Sequence, residues 1–236
     1  MGMIEHFTDK GERWCRIAAG PIEQYIVGVD LGQSADPTAL AVLHHHREVL
    51  DSWTTIKSPG GGGTIRQDAP DHFDVRYLQR LPLGLSYPAQ VEHVAGVVSR
   101  RPLLNNCELV IDESGVGRAV GDIFERAGLR PLRVTIVSGF EPQKINETCW
   151  HVPKQTLIST LDARLHTGEL RFAAELTAAG AMADELKDFQ RKIGLAGRYS
   201  YEARVGKHDD LVLAVAIALW AAVRPRSYAR ISTYAL

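Results

Sequence analysis

The segment HDDLVLAVAIALWAAV, residues 208–223, constrains the fold more than any other part of the chain. Beyond Asp210 it is almost wholly apolar, yet it falls short of the ~20 apolar residues that span a bilayer. It therefore reads as a long helix for the interior of a globular domain, with Asp209 and Asp210 in its first turn. The rest of the composition agrees. Of 236 residues, 45% are hydrophobic and 23% charged, which suits one domain with a full core rather than a disordered or fibrous chain. The opening MGMIEHFTDKGERW carries charges where a signal peptide would need an apolar stretch. Cys15, Cys107 and Cys149 are odd in number and form no C-x-x-C pair, so neither a disulfide framework nor a zinc knuckle is indicated. A soluble protein of a reducing, cytoplasmic compartment is expected, with no membrane partner.

Periodicity organises the remainder. Residues 25–30 and 39–44 read as two strands joined by a turn through Gly32, Asp36 and Pro37, with alternation continuing as REVLDSW. KSPGGGGTIRQDAPD carries four consecutive glycines and reads as a flexible surface loop. HFDVRYLQRLPL alternates as a third strand, YPAQVEHVAGVVSR has helical spacing, and NCELVID is a fourth strand ending at Asp112. ESGVGRAVGDIFERAGL is a glycine-rich turn entering a helix, followed by RPLRVTIVSG as a fifth strand. PKQTLISTLDARLHTG is a helix stopped by Gly168, ELRFA a short strand, LTAAGAMADELKDFQRKI another helix and GRYSYEARVG a strand. The pattern is that of an α/β domain, a mixed sheet that begins with antiparallel pairing and continues through crossover helices. Its expected limits are 25–223, with an N-terminal extension over 1–24 and a basic C-terminal tail over 224–236.

Three acidic positions adjoin these apolar elements: Asp30 ends the first strand, Asp112 ends the fourth, and Asp209 with Asp210 opens the last helix. Each has a local explanation, as a turn partner, an acceptor of helix-start N–H groups or an N-cap. Each also stands where an unpaired carboxylate is expensive. A mixed sheet can bring such carboxylates into one cleft, where a divalent cation relieves their repulsion. Oxygen ligands with open positions suit Mg²⁺ or Mn²⁺, and two such ions ~3.5–4 Å apart can activate water against a phosphodiester.

At this point the chain resembles a known family, the nuclease domain of phage terminase large subunits, within the ribonuclease H-like superfamily. The matching stretches are VGVDLGQSADPTALAVL, LQRLPLGLSYPAQVEHV, LVIDESGVGRAVGDIF and GKHDDLVLAVAIALWA, in that order. The resemblance implies a ribonuclease H-like mixed β-sheet flanked by helices over 25–223. It implies that Asp30, Asp112 and one or both of Asp209 and Asp210 bind Mg²⁺ or Mn²⁺ as a two-metal site, and that the enzyme is an endonuclease cutting double-stranded DNA during genome packaging. An ATPase motor, a small terminase subunit and a portal are the implied partners, and the host cytoplasm the implied location. Which of Asp209 and Asp210 is the principal ligand stays open. Whole terminase large subunits also carry a motor with a G-x-x-x-x-G-K-[ST] phosphate loop. No such motif occurs here, so the chain reads as the nuclease module of a longer protein or as a separately encoded relative.

The remaining residues with chemical potential are secondary. His208 and Glu113 flank the principal acids. Lys144, Lys154, Arg198, Arg204 and Lys207 are candidates for DNA phosphates, and Arg191 and Lys192 lie close to them in sequence. With Lys+Arg 27 against Asp+Glu 28, any polyanion must be held by a local basic patch. His44, His45 and His46 form a triplet of potential ligands. Neighbours on a strand point to opposite faces, so all three cannot meet at one ion. Trp53, Trp150 and Trp220 read as packing residues. Two other readings compete: an actin-like or sugar-kinase-like ATP-binding domain, which also opens near D-L-G, and a Holliday-junction resolvase relative on the same fold.

Overall fold

The structure is a computed structural model that describes the backbone of residues 3–9, 12–18, 21–32, 36–58, 61–68, 70–115, 118–193, 199–203 and 209–224, and side chains within 21–32, 36–48, 70–115, 119–187 and 209–224. The chain opens with a hairpin of β1 (Met3–Asp9) and β2 (Glu12–Ala18). Next come β3 (Ile22–Asp30), β4 (Ala39–Arg47), a second hairpin of β5 (Val49–Ser58) and β6 (Gly61–Asp68), and β7 (His72–Arg80). The middle holds α1 (Tyr87–Val98), β8 (Cys107–Asp112), α2 (Arg118–Arg126), β9 (Leu132–Val137), β10 (Gln143–Lys144) and β11 (Cys149–Pro153). The last third holds α3 (Lys154–His166), β12 (Leu170–Phe172), α4 (Ala179–Asp188), the pair β13 (Phe189–Ile193) and β14 (Tyr199–Ala203), and α5 (Asp210–Val223).

Eight strands form one mixed sheet in the order β10-β11-β9-β8-β3-β4-β7-β12. β3 pairs antiparallel with β4 and parallel with β8, and β8, β9 and β11 continue in parallel. The central strands are apolar on both faces because both faces are covered. On one side Val27, Val29, Leu40, Val42 and Ile111 pack under Val91 and Val94 of α1 and Val120 and Phe124 of α2. On the other, Ile26, Ala41, Val110 and Val134 pack under α5, with Leu157 and Leu161 of α3 and Met182 of α4. Helix α5 is buried from Asp210 to Ala222, as an apolar surface on every side of a helix requires.

The approach of α5 to the sheet is set by small residues. A Cβ on Gly28 would lie 2.1 Å from the carbonyl oxygen of Ala214 and 2.9 Å from the Cβ of Ala218. Only glycine on the strand and alanine on the helix allow that contact. Trp220, at the far end of α5, packs edge-on against Trp150 with ring centroids 5.5 Å apart, so both are core residues. The Trp53 side chain lies outside the described residues.

Two expectations need correction. The glycine segment pairs as a strand: Gly61, Gly62 and Gly63 stand opposite Ser58, Lys57 and Ile56. A glycine keeps both backbone hydrogen-bonding groups, so a partner strand can hold what propensity disfavours. The helix expected to run to Ile193 ends at Asp188, and Phe189–Ile193 pairs antiparallel with Tyr199–Ala203. The short strands β10 and β11 had no periodic signal. Of the tail, Arg224 is anchored to Glu108 at 2.5 Å, and the rest lies outside the described residues.

Candidate metal centre

The sheet topology gathers polar side chains at one end. β3, β8, β9, β11 and β7 all run in the same direction, and their C-terminal residues include Asp30, Asp112, Pro153 next to Lys154, and Arg80. The carboxyl ends of parallel strands are the usual place for a site in such sheets. Asp30 and Asp112 are direct register partners on β3 and β8, so their Cα atoms lie ~4.8 Å apart and their side chains share a face. That face is the one covered by α5, because Gly28, two residues before Asp30, is where the helix touches β3.

The stripe Ala218, Ala214, Asp210 lies along one side of α5 at four-residue spacing, ~6 Å per step. Asp210 therefore stands one step beyond the Gly28 contact, on the side of Asp30. It is buried and lies 3.5 Å from Nε of Arg80. Asp209, at the N-cap position, makes no capping hydrogen bond and instead accepts from Nζ of Lys154 at 2.7 Å. So the two aspartates diverge, as adjacent helical residues must, toward different cations.

The electrostatics show how crowded this end is. Burial pushes the Asp30 carboxyl well above the usual carboxylate range; the charges of Asp112, Asp210 and Asp209 push the same way, and Lys154 opposes them. Asp112 is also raised by burial, against the lowering effect of its hydrogen bonds from Ser114, whose backbone N–H donates to Oδ1 at 2.8 Å. The turn after Asp30 is closed by another residue, since Oγ1 of Thr38 accepts from Gly32 N–H at 2.9 Å and donates to Gln90 at 2.8 Å.

Two residues absent from the sequence reading belong to this cluster. Glu185 of α4 is buried, bonded to the Arg80 guanidinium, and accepts the backbone N–H of Val212 at 3.0 Å, closing the first turn of α5. Burial raises its pKa to about 7 despite that hydrogen bond and Arg80, with Asp210 and Asp209 adding to the rise. A glutamate three residues after the buried Met182, on the inner stripe of α4, was the available signal.

The other candidates fall elsewhere. Glu113 turns toward Arg133, 3.7 Å away, and lines a cleft with Asp122 and His151. Lys144 is paired with Glu147 at 2.8 Å on the edge of the sheet. Lys154 sits among the carboxylates. Arg191, Lys192, Arg198, Arg204, Lys207 and His208 have side chains outside the described residues. His44 and His46 share one face of β4, while His45 stacks on Phe73 on the other, at 4.4 Å between centroids. Cys107 is half-buried and Cys149 buried.

No protein-family model and no curated protein matches the sequence. Solved structures do match in fold. The large terminase nuclease of thermophilic phage G20c is 18% identical, with a TM-score of 0.52 over 87% of this chain and 87% of that one. The same nuclease with bound magnesium gives 20% identity and a TM-score of 0.55 over 86% and 85%. The Thermus phage P74-26 large terminase nuclease domain gives 18% identity and a TM-score of 0.51 over 83% and 78%. The mixed eight-stranded sheet with helices on both faces thus has the ribonuclease H-like fold of the large terminase nucleases.

Proposed function

We propose that the chain is a metal-dependent endonuclease that hydrolyses phosphodiester bonds in double-stranded DNA, acting as the nuclease module of a phage DNA-packaging terminase. The observation that carries this reading is the meeting of Asp30 and Asp112, side by side on adjacent parallel strands, under the start of α5 with its Asp209–Asp210 pair. The fold shared with large terminase nucleases supports it.

The donor set fits a hard divalent cation. It consists of carboxylate oxygens; burial, and then the charges of Asp112, Asp210 and Asp209, raise the pKa of Asp30, and a bound cation would relieve that cost. Asp30, Asp112 and the 209/210 pair would hold Mg²⁺ or Mn²⁺. When bound, such ions supply Lewis-acid polarisation of the phosphate and a water nucleophile active near neutral pH. The chain's own residues prepare the site. Lys154 holds Asp209 and lowers the charge repulsion at Asp30 and Asp112, while Arg80 orients both Asp210 and Glu185. Lys144, Lys154, Arg198, Arg204 and Lys207 are the residues proposed to contact DNA phosphates, with His208 and Glu113 as secondary participants. A motor ATPase, a small terminase subunit and a portal are the proposed partners, in the host cytoplasm.

The test is cleavage of plasmid DNA in Mn²⁺ or Mg²⁺, with a metal-free control. Nicking and linearisation that require the metal and disappear in Asp30→Asn and Asp112→Asn support the reading. Full activity in Asp30→Asn sinks it. Preference for branched over linear substrates would favour a resolvase, and saturable ATP binding without cleavage an actin-like domain.

A further inference from the structure

The histidine triplet of β4 carries chemistry that the carboxylate cluster does not use. His44 and His46 lie on one face, and Asp74 of β7 is the cross-strand partner of His44. One ligand atom from each of His44, His46 and Asp74 lies within 4.8 Å of the other two. His46 Nε2 is 3.3 Å from Asp74 Oδ2, and the two imidazoles stack with centroids 4.8 Å apart. The side chains are largely enclosed, at 13%, 28% and 16% exposure for His44, His46 and Asp74.

We propose that His44, His46 and Asp74 form a metal site of the zinc type, separate from the carboxylate cluster. Two imidazoles with one carboxylate select a borderline ion such as Zn²⁺ over Mg²⁺, which prefers oxygen alone. Ligands of a tetrahedral zinc lie ~3.4 Å apart, so small rotations of these side chains suffice to close on an ion. The surroundings fit the role. Tyr25 stacks on His44 at 4.6 Å, and Glu23 bonds His44 Nε2 at 2.7 Å, the kind of carboxylate–histidine contact that orients a ligand ring. His72 lies against His46 with centroids 5.2 Å apart, and its Nδ1 is buried with no hydrogen-bond partner among the described residues. It is a further imidazole beside the group of three. Arg76 bonds Asp74 at 2.8 Å but is 54% exposed, so it can turn to solvent with little loss.

The position explains what the ion would do. On β3, Tyr25 pairs with His44 five residues before Asp30, which puts the site ~17 Å from the carboxylates. It also lies on the opposite face, where Tyr25 packs with the α1–α2 core. β4 ends at Arg47 and β7 begins at His72, so an ion here ties the two ends of the 48–71 excursion. Binding to the folded chain alone would stabilise it.

The experiment titrates the full, chelator-stripped chain with Zn²⁺ by calorimetry in excess Mg²⁺, with Co²⁺ as a visible-absorbing substitute. One tight equivalent is expected, unchanged in Asp112→Asn, weakened at least about tenfold in His44→Asn and His46→Asn, and accompanied by a rise in melting temperature that both histidine variants lose. Equal zinc binding in the variants, or none in the parent, overturns the site. Should the variants fail to fold, zinc-edge anomalous diffraction from the parent decides: a peak between His44 and His46 supports the proposal, and a peak elsewhere or none refutes it.

Discussion

Gly28 and Ala214 touch backbone to side-chain position: a single added carbon on the glycine would sit 2.1 Å from the alanine carbonyl oxygen. That contact sets the height of α5 above β3 and, through it, where Asp210 stands relative to Asp30. Gly28→Ala must therefore push the helix away or bend the strand. It is expected to destabilise the chain by about 2–4 kcal/mol in urea unfolding, and to lower metal-dependent cleavage more than the lost folded fraction accounts for.

Asp30→Asn separates stability from catalysis. The folded pKa of Asp30 lies well above its unfolded value, so between those values the folded state keeps a proton that the unfolded chain has released. Stability in chelator thus falls as pH rises through that window, and removing the charge restores it. At neutral pH without divalent ions the variant is expected to melt higher than the parent, while cleavage drops at least ~100-fold. Differential scanning calorimetry and a plasmid assay check the two halves.

Glu185 gives a second pH signature, centred on its own range. Its pKa rises from 4.5 to about 7, mainly through burial, so it destabilises the fold as pH climbs from 4.5 to about 7. Glu185→Gln keeps an acceptor for the Val212 N–H. The difference in unfolding free energy between variant and parent should grow in favour of the variant by on the order of 1–2 kcal/mol from pH 4.5 to 7.5.

Lys154 is the counter-charge of the cluster, bonded to Asp209 and lowering the pKa values of Asp30 and Asp112. Lys154→Met removes that charge and leaves the acids more crowded. The variant should melt below the parent in chelator, and its gain in melting temperature on adding Mg²⁺ should be the larger of the two.

Thr38→Val tests the turn that presents Asp30. The hydroxyl serves the buried Gly32 N–H and Gln90, and valine serves neither. A loss of about 1–3 kcal/mol is expected in denaturant titration.

The strands and helices that build the site were legible because their cause is local. Asp30 and Asp112 each end an apolar run, and the apolar length of 211–223 leaves few places for that helix except the core. The register that sets Asp30 beside Asp112 is not local, and it follows only once β3 and β8 are adjacent. The pairing of Arg80 with Glu185 is hidden for a related reason: it spans 105 positions, and only the glutamate's place on the inner stripe of α4 leaves a trace in the sequence. Alternation along β4 correctly divided the histidine triplet, but Asp74 enters only through cross-strand pairing with β7. The glycine strand went unread because propensity describes an isolated segment, whereas β6 is held by its neighbour.

The eight-stranded sheet ends in β10, two residues long, on one side and β12, three residues long, on the other. Margins this brief offer hardly any open backbone ladder for a foreign strand to extend. At β10 and β12 the large sheet is thereby poorly suited to stacking edge by edge into fibrils.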